Sequence, residues 1–132
     1  MKRQGWIITS VAVLAIAAGA ALSLTHKADA PEALFATLSG EQITTSSLRG
    51  QVVLVNFWAT SCVTCVAEMP RLVETHNRYG PRGYTTIAVA MSYDHPNHVA
   101  EFTRQRALPF KVALDTSGEV ARRFGNANAE VS

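Results

Sequence analysis

The sequence predicts an α/β domain built on a strand–helix–strand unit and preceded by an N-terminal transmembrane or signal-anchor helix. Three observations carry this. Val52 to Trp58 is an apolar run rich in β-branched and aromatic residues, short enough to be a buried strand. Val66 to Tyr79 then places apolar residues at three- and four-residue spacing, the period of a helix. Ahead of both, Trp6 to Leu24 is almost wholly apolar and rich in alanine, and no charge appears from Gln4 to Thr25.

A spanning helix needs about 20 apolar residues, and a secretory peptide core about 7 to 15. Trp6 to Leu24 sits at the spanning end of that range. Lys2 and Arg3 are expected to stay cytoplasmic, which anchors the chain in the inner membrane with its domain in the periplasm. Ala28-Asp29-Ala30 also satisfies a small-x-small cleavage pattern, so a secreted form is the alternative, although Pro31 is a poor residue after a cut. The expected organisation is residues 1–30 as anchor and linker and 31–132 as one domain.

Leu34 to Leu38 and Gln42 to Thr44 flank Ser39-Gly40-Glu41 and read as a β-hairpin. Ser46 to Gly50 supplies a single helical turn with Gly50 as its stop, feeding the strand Val52 to Phe57. On the helix that follows, Val66, Met69, Val73 and His76 share one face, while Glu74 and Arg78 form an i,i+4 pair on the other. Pro70 lies inside this helix, where it removes a hydrogen bond and bends the axis. Gly80-Pro81-Arg82-Gly83 ends it, and Tyr84 to Met91 is a second buried strand, parallel to the first. Asp94 to Pro96 opens a helix running to about Arg106, with Val99 and Phe102 inward. Phe110 to Leu114 is a further strand, Asp115 to Gly118 a turn, and Glu119 to Phe124 a short helix closed by Gly125.

With Lys2, Arg3 and Lys27 set aside, nine Lys and Arg meet ten Asp and Glu, so the basic overall balance comes from the N-terminus. No basic patch interleaved with aromatics is present, which removes nucleic acid as a partner. His95 and His98 lie within one turn and read as a surface pair rather than a metal site.

The chemistry concentrates in Cys62 and Cys65, placed between the apolar strand and the helix. A helix start offers unpaired N–H groups and a positive dipole end, which favour thiolate, the reactive form of cysteine. Sulfurs three positions apart can also close into a disulfide, so Cys62 can attack a partner disulfide and Cys65 can resolve the mixed intermediate. Half a zinc site or a structural disulfide gives the same spacing, but with two cysteines in the chain a four-ligand zinc site would have to recruit histidines.

The segment Asn56-Phe57-Trp58-Ala59-Thr60-Ser61-Cys62-Val63-Thr64-Cys65-Val66-Ala67-Glu68-Met69-Pro70 resembles the active-site segment of the thioredoxin-fold family, in its TlpA/ResA-like branch of membrane-anchored or secreted thiol-disulfide oxidoreductases. The resemblance implies a thioredoxin-like three-layer sandwich with an N-terminal β-hairpin. It assigns Cys62 as the exposed nucleophile and Cys65 as the buried resolving thiol. Glu68 matches a carboxylate often placed near the thiols, which would raise the sulfur pKa and shuttle the Cys65 proton if partly buried. Its other reading is an ordinary exposed helix residue. Asn56 stands where thioredoxins proper carry a buried aspartate, and an amide takes no proton. Trp58 is a packing residue beside the site.

The implied function is an envelope enzyme that reduces disulfides in extracytoplasmic proteins, such as those met in cytochrome c or copper-centre assembly. Its implied partners are disulfide-containing envelope proteins, a membrane electron donor protein and the inner membrane; no cofactor or metal is called for. Past Phe124-Gly125-Asn126 the family continues into a cis-proline loop, two strands and a helix, and this sequence is expected to lack that C-terminal hairpin and helix. The cysteine-bearing strand is then expected to show an apolar edge. Two other functions stay open at the level of sequence: Cu(I) binding by the two thiolates with a histidine, and an inactive remnant of the fold.

Overall fold

The structure, a computed structural model, describes residues 11–20 and 30–125. Eight elements follow residue 30: β1 (Leu34–Thr37), β2 (Gln42–Thr44), β3 (Val52–Trp58), α1 (Val63–Tyr79), β4 (Tyr84–Ala90), α2 (Pro96–Gln105), β5 (Lys111–Leu114) and α3 (Glu119–Arg123). Single 3-10 turns at Thr45–Leu48 and Gly80–Arg82 deliver the chain into β3 and β4.

One five-stranded sheet runs in the order β2-β1-β5-β4-β3. β3, β4 and β5 are parallel, with Val55 opposite Ile87 and Val89 opposite Ala113, while β1 pairs antiparallel with β5 and with β2. At the hairpin tip the Thr37 hydroxyl accepts from Glu41 N–H and donates to Glu41 C=O, both at 3.0 Å. Gly40 takes φ +84°, a conformation that costs glycine nothing.

Side chains alternate across the sheet with period two. On one face Trp58, Ala88, Ala90 and Val112 meet Met69 of α1 and Val99 of α2, with Leu72, Val73 and Phe102 at the margin. On the other, Phe35, Ile87, Val89 and Ala113 meet Val120 of α3, with Leu48 and Phe124 at the margin. This is the expected thioredoxin-like layering, and Met69, Val99 and Trp58 are buried as their spacing requires. β4 lies between two partners, and its Ile87 to Ala90 are at most 1% exposed. β3 is the edge strand, with β4 as its one partner among the described residues and Val52 68% exposed. Beside Val53, Val55, Phe35 and Phe124 the far face is open, leaving a cavity of about 780 Å³.

Four expectations are corrected. Among the described residues no helix is long and apolar enough to cross a membrane. Residues 11–20 are helical and exposed. The rest of the expected Trp6–Leu24 span lies outside the described residues. The transmembrane or signal-anchor helix of the expected fold is therefore withdrawn. With it go the inner membrane as a partner and the inner-membrane, periplasmic localisation. The fourth correction is local: Glu74 and Arg78 make no ion pair, and the Arg78 guanidinium instead lies 5.5 Å from the Tyr79 ring centroid. Both side chains are exposed, so water competes for each charge and the ring offers Arg78 an alternative.

Candidate active site

β3 ends at Trp58, which is 1% exposed and packs its ring 5.1 Å from that of Phe102. The Met91 N–H donates to Trp58 C=O at 2.9 Å, so the last residue of β3 is tied to the end of β4. The chain then turns sharply, Cys62 N–H donating to Ala59 C=O at 3.1 Å, and α1 begins. Fixing the strand end thus fixes the helix start.

Cys62 is the N-cap of α1: its backbone is extended, its C=O accepts from Val66 N–H at 3.0 Å, and its sulfur accepts from Cys65 N–H at 3.3 Å. A cap is normally a Ser, Thr, Asp or Asn oxygen. Here sulfur fills that place. Cys62 and Cys65 are joined as a disulfide with Cα atoms 5.2 Å apart, inside the normal range for such a bond. Since a disulfide sulfur carries no proton, the Thr64 hydroxyl 3.5 Å away is the donor to Cys62 Sγ. Both cysteines are half-buried, but their settings differ: Cys65 borders the core cluster around Trp58 and Met69, whereas Cys62 sits among exposed Ser61, Val63 and Thr64.

Glu68 lies three residues beyond Cys65 on α1 and is exposed, with no hydrogen-bond partner among the described residues. The His95 and His98 rings lie with centroids 5.4 Å apart, tilted by 47°, and His95 Nδ1 accepts from Asn97 N–H at 3.2 Å, capping α2. No group of three or more His, Cys, Asp or Glu is placed to hold a metal ion among the described residues.

One pair of residues escaped the sequence reading. The Asp94 carboxylate accepts from Thr60 N–H at 2.6 Å and from the Thr60 hydroxyl at 2.8 Å, gripping the turn just before Cys62. Asp94 stands near a Pro-headed helix, a position that reads as helix initiation, and no local pattern links it to a residue 34 positions away.

The family model that matches residues 25–132 is Redoxin. Thiol-disulfide oxidoreductase ResA of Bacillus thuringiensis subsp. konkukian is 33% identical over 97 residues, covering 74% of this chain and 56% of that protein. ResA of Bacillus subtilis is 30% identical over 98 residues, covering 74% and 54%. Among solved structures, a thiol:disulfide interchange protein of the thioredoxin family from Chlorobium tepidum superposes with a TM-score of 0.68 at 26% identity, over 78% of this chain and 70% of that one. The chain spans a little over half the length of the curated relatives it matches.

Proposed function

Because this chain belongs to the redoxin family, within the thioredoxin fold, we propose that it is a thiol-disulfide oxidoreductase that works on protein disulfides through Cys62 and Cys65. The observation that carries this is the sulfur cap: Cys62 Sγ lies within 3.3 Å of the Cys65 N–H at the positive end of a 17-residue helix and is bonded to Cys65. That end carries roughly half a unit of positive charge, so the leaving or attacking sulfur at position 62 is favoured as thiolate.

In the reducing direction the Cys62 thiolate attacks one sulfur of a substrate disulfide. The substrate S–S bond breaks, a mixed disulfide forms, and the released substrate sulfur takes up a proton. Cys65, having lost its proton to water or to Glu68, then attacks Cys62 Sγ and frees the second substrate thiol. Two electrons have passed to the substrate, and the Cys62–Cys65 bond of this structure is the product state. An external dithiol returns it to the reduced form. Glu68 acts only through water in this scheme, because its carboxylate faces solvent.

Insulin-disulfide reduction tests the assignment. Cys62→Ser is expected to abolish turnover, and Cys65→Ser to accumulate the mixed disulfide; undiminished turnover by Cys62→Ser rejects the reading. Equilibration of the pair against glutathione buffers then fixes the direction, a low potential marking a reductase.

A further inference from the structure

We propose that Asp94 is a positioning residue for Cys62: through Thr60 its carboxylate holds the turn that presents the Cys62 sulfur at the mouth of α1. The proposal rests on the reading of Cys62 as the nucleophile.

Both carboxylate oxygens are committed to one residue. Oδ2 accepts from Thr60 N–H at 2.6 Å and Oδ1 from the Thr60 hydroxyl at 2.8 Å, lengths typical of charge-assisted bonds. An Asp at this position is free to cap the helix behind it, yet α2 is capped by His95 Nδ1, and the Asp94 side chain crosses to the cysteine turn instead. Asp94 is itself held, its N–H donating to Met91 C=O at 3.0 Å, and Met91 N–H in turn grips Trp58 C=O at 2.9 Å. The loop after β4 therefore braces the turn at Trp58 and again at Thr60. Cys62 lies two residues further on.

The brace matters most when the disulfide is open. The Cys62–Cys65 bond fixes the sulfur in the oxidised form; once it is reduced, the side chain is free to rotate and the backbone of the turn is free to relax. Clamped at Thr60, the turn keeps Cys62 at the N-cap, where its thiolate finds the Cys65 N–H and the Thr64 hydroxyl. Unclamped, the thiolate spends less time in that geometry. A fixed negative charge near the sulfur acts in the opposite sense, disfavouring thiolate, so the two effects separate by experiment.

The measurement is the rate of iodoacetamide alkylation of Cys62 in the reduced protein across pH, beside thermal unfolding of the same samples. Thr60→Val removes the hydroxyl donor and keeps both the shape and the Asp94 charge; Asp94→Ala removes both bonds. Alkylation at neutral pH is expected to slow about threefold in Thr60→Val and about tenfold in Asp94→Ala, the size of effect that loosened orientation produces. Thr60→Ser, which restores the donor, is expected to recover the rate. Should Asp94→Ala fail to fold, the Thr60 pair carries the test alone. Unchanged alkylation profiles overturn the proposal, as does faster alkylation in Asp94→Ala, which would mean the carboxylate acts by charge alone. A lower unfolding temperature with an unaltered pH profile also overturns it, leaving Asp94 a structural residue. Inactive wild-type protein in the insulin assay would reject the function itself, whereas altered alkylation in active protein bears on the clamp alone.

Discussion

At the residue scale the site is a case of one atom type taking another's place. Sulfur at position 62 occupies the N-cap where an oxygen normally sits, so the group that ends the strand turn is also the one proposed as nucleophile. Placement of Cys62 at a helix start was legible in the sequence, because an apolar strand run and a helical repeat meet there. The clamp from Asp94 was not, since a carboxylate that reads as a local cap was committed to a distant turn. Trp58 supports the same junction from beneath: it is 1% exposed against Phe102, and its indole N–H has no partner among the described residues. Trp58→Ala is expected to lower the unfolding free energy by about 3 to 5 kcal/mol in denaturant titration, through loss of a large buried ring.

At the element scale, β4 and α2 show how context selects among equal-looking segments. Val52 to Trp58 and Tyr84 to Ala90 are both apolar runs of seven residues, yet β4 is central and β3 lies at an edge. Hydrogen exchange is expected to reflect this, with the amides of Ile87 to Ala90 among the slowest in the protein and the outward-facing amides of β3 exchanging faster. α2 ends in a Schellman motif: Ala107 N–H donates to Arg104 C=O and Leu108 N–H to Thr103 C=O, each at 3.2 Å, with Ala107 at φ +46°. The position suits glycine, and no glycine there signalled the stop. Ala107→Gly is expected to raise stability by about 1 kcal/mol, read as a higher thermal midpoint, because the left-handed backbone costs alanine but not glycine. Glu74 and Arg78 teach the converse. Correct i,i+4 spacing allowed an ion pair that the folded helix does not make.

At the scale of the whole molecule, one sheet with helices on both faces carries the Cys62–Cys65 pair where β3 hands over to α1. The Cys62–Cys65 bond closes a very short loop, so it constrains the unfolded chain weakly. Its reduction is expected to lower stability by about 2 kcal/mol by the chain-entropy relation, with the thermal midpoints of oxidised and reduced protein as the measurement.

The sequence by itself determined the alternation of strands and helices, the inward residues Met69, Val99 and Phe102, and the pairing of Cys62 with Cys65, because periodicity, turn residues and cysteine spacing are local properties of the chain. Tertiary structure alone decided that Glu68 faces water, that Arg78 rests on Tyr79 rather than on Glu74, and that Asp94 reaches Thr60. It also decided against a spanning helix among the described residues, where composition alone had pointed to one. The contacts among them depend on which distant segments meet, and that is not written in the spacing of neighbouring residues.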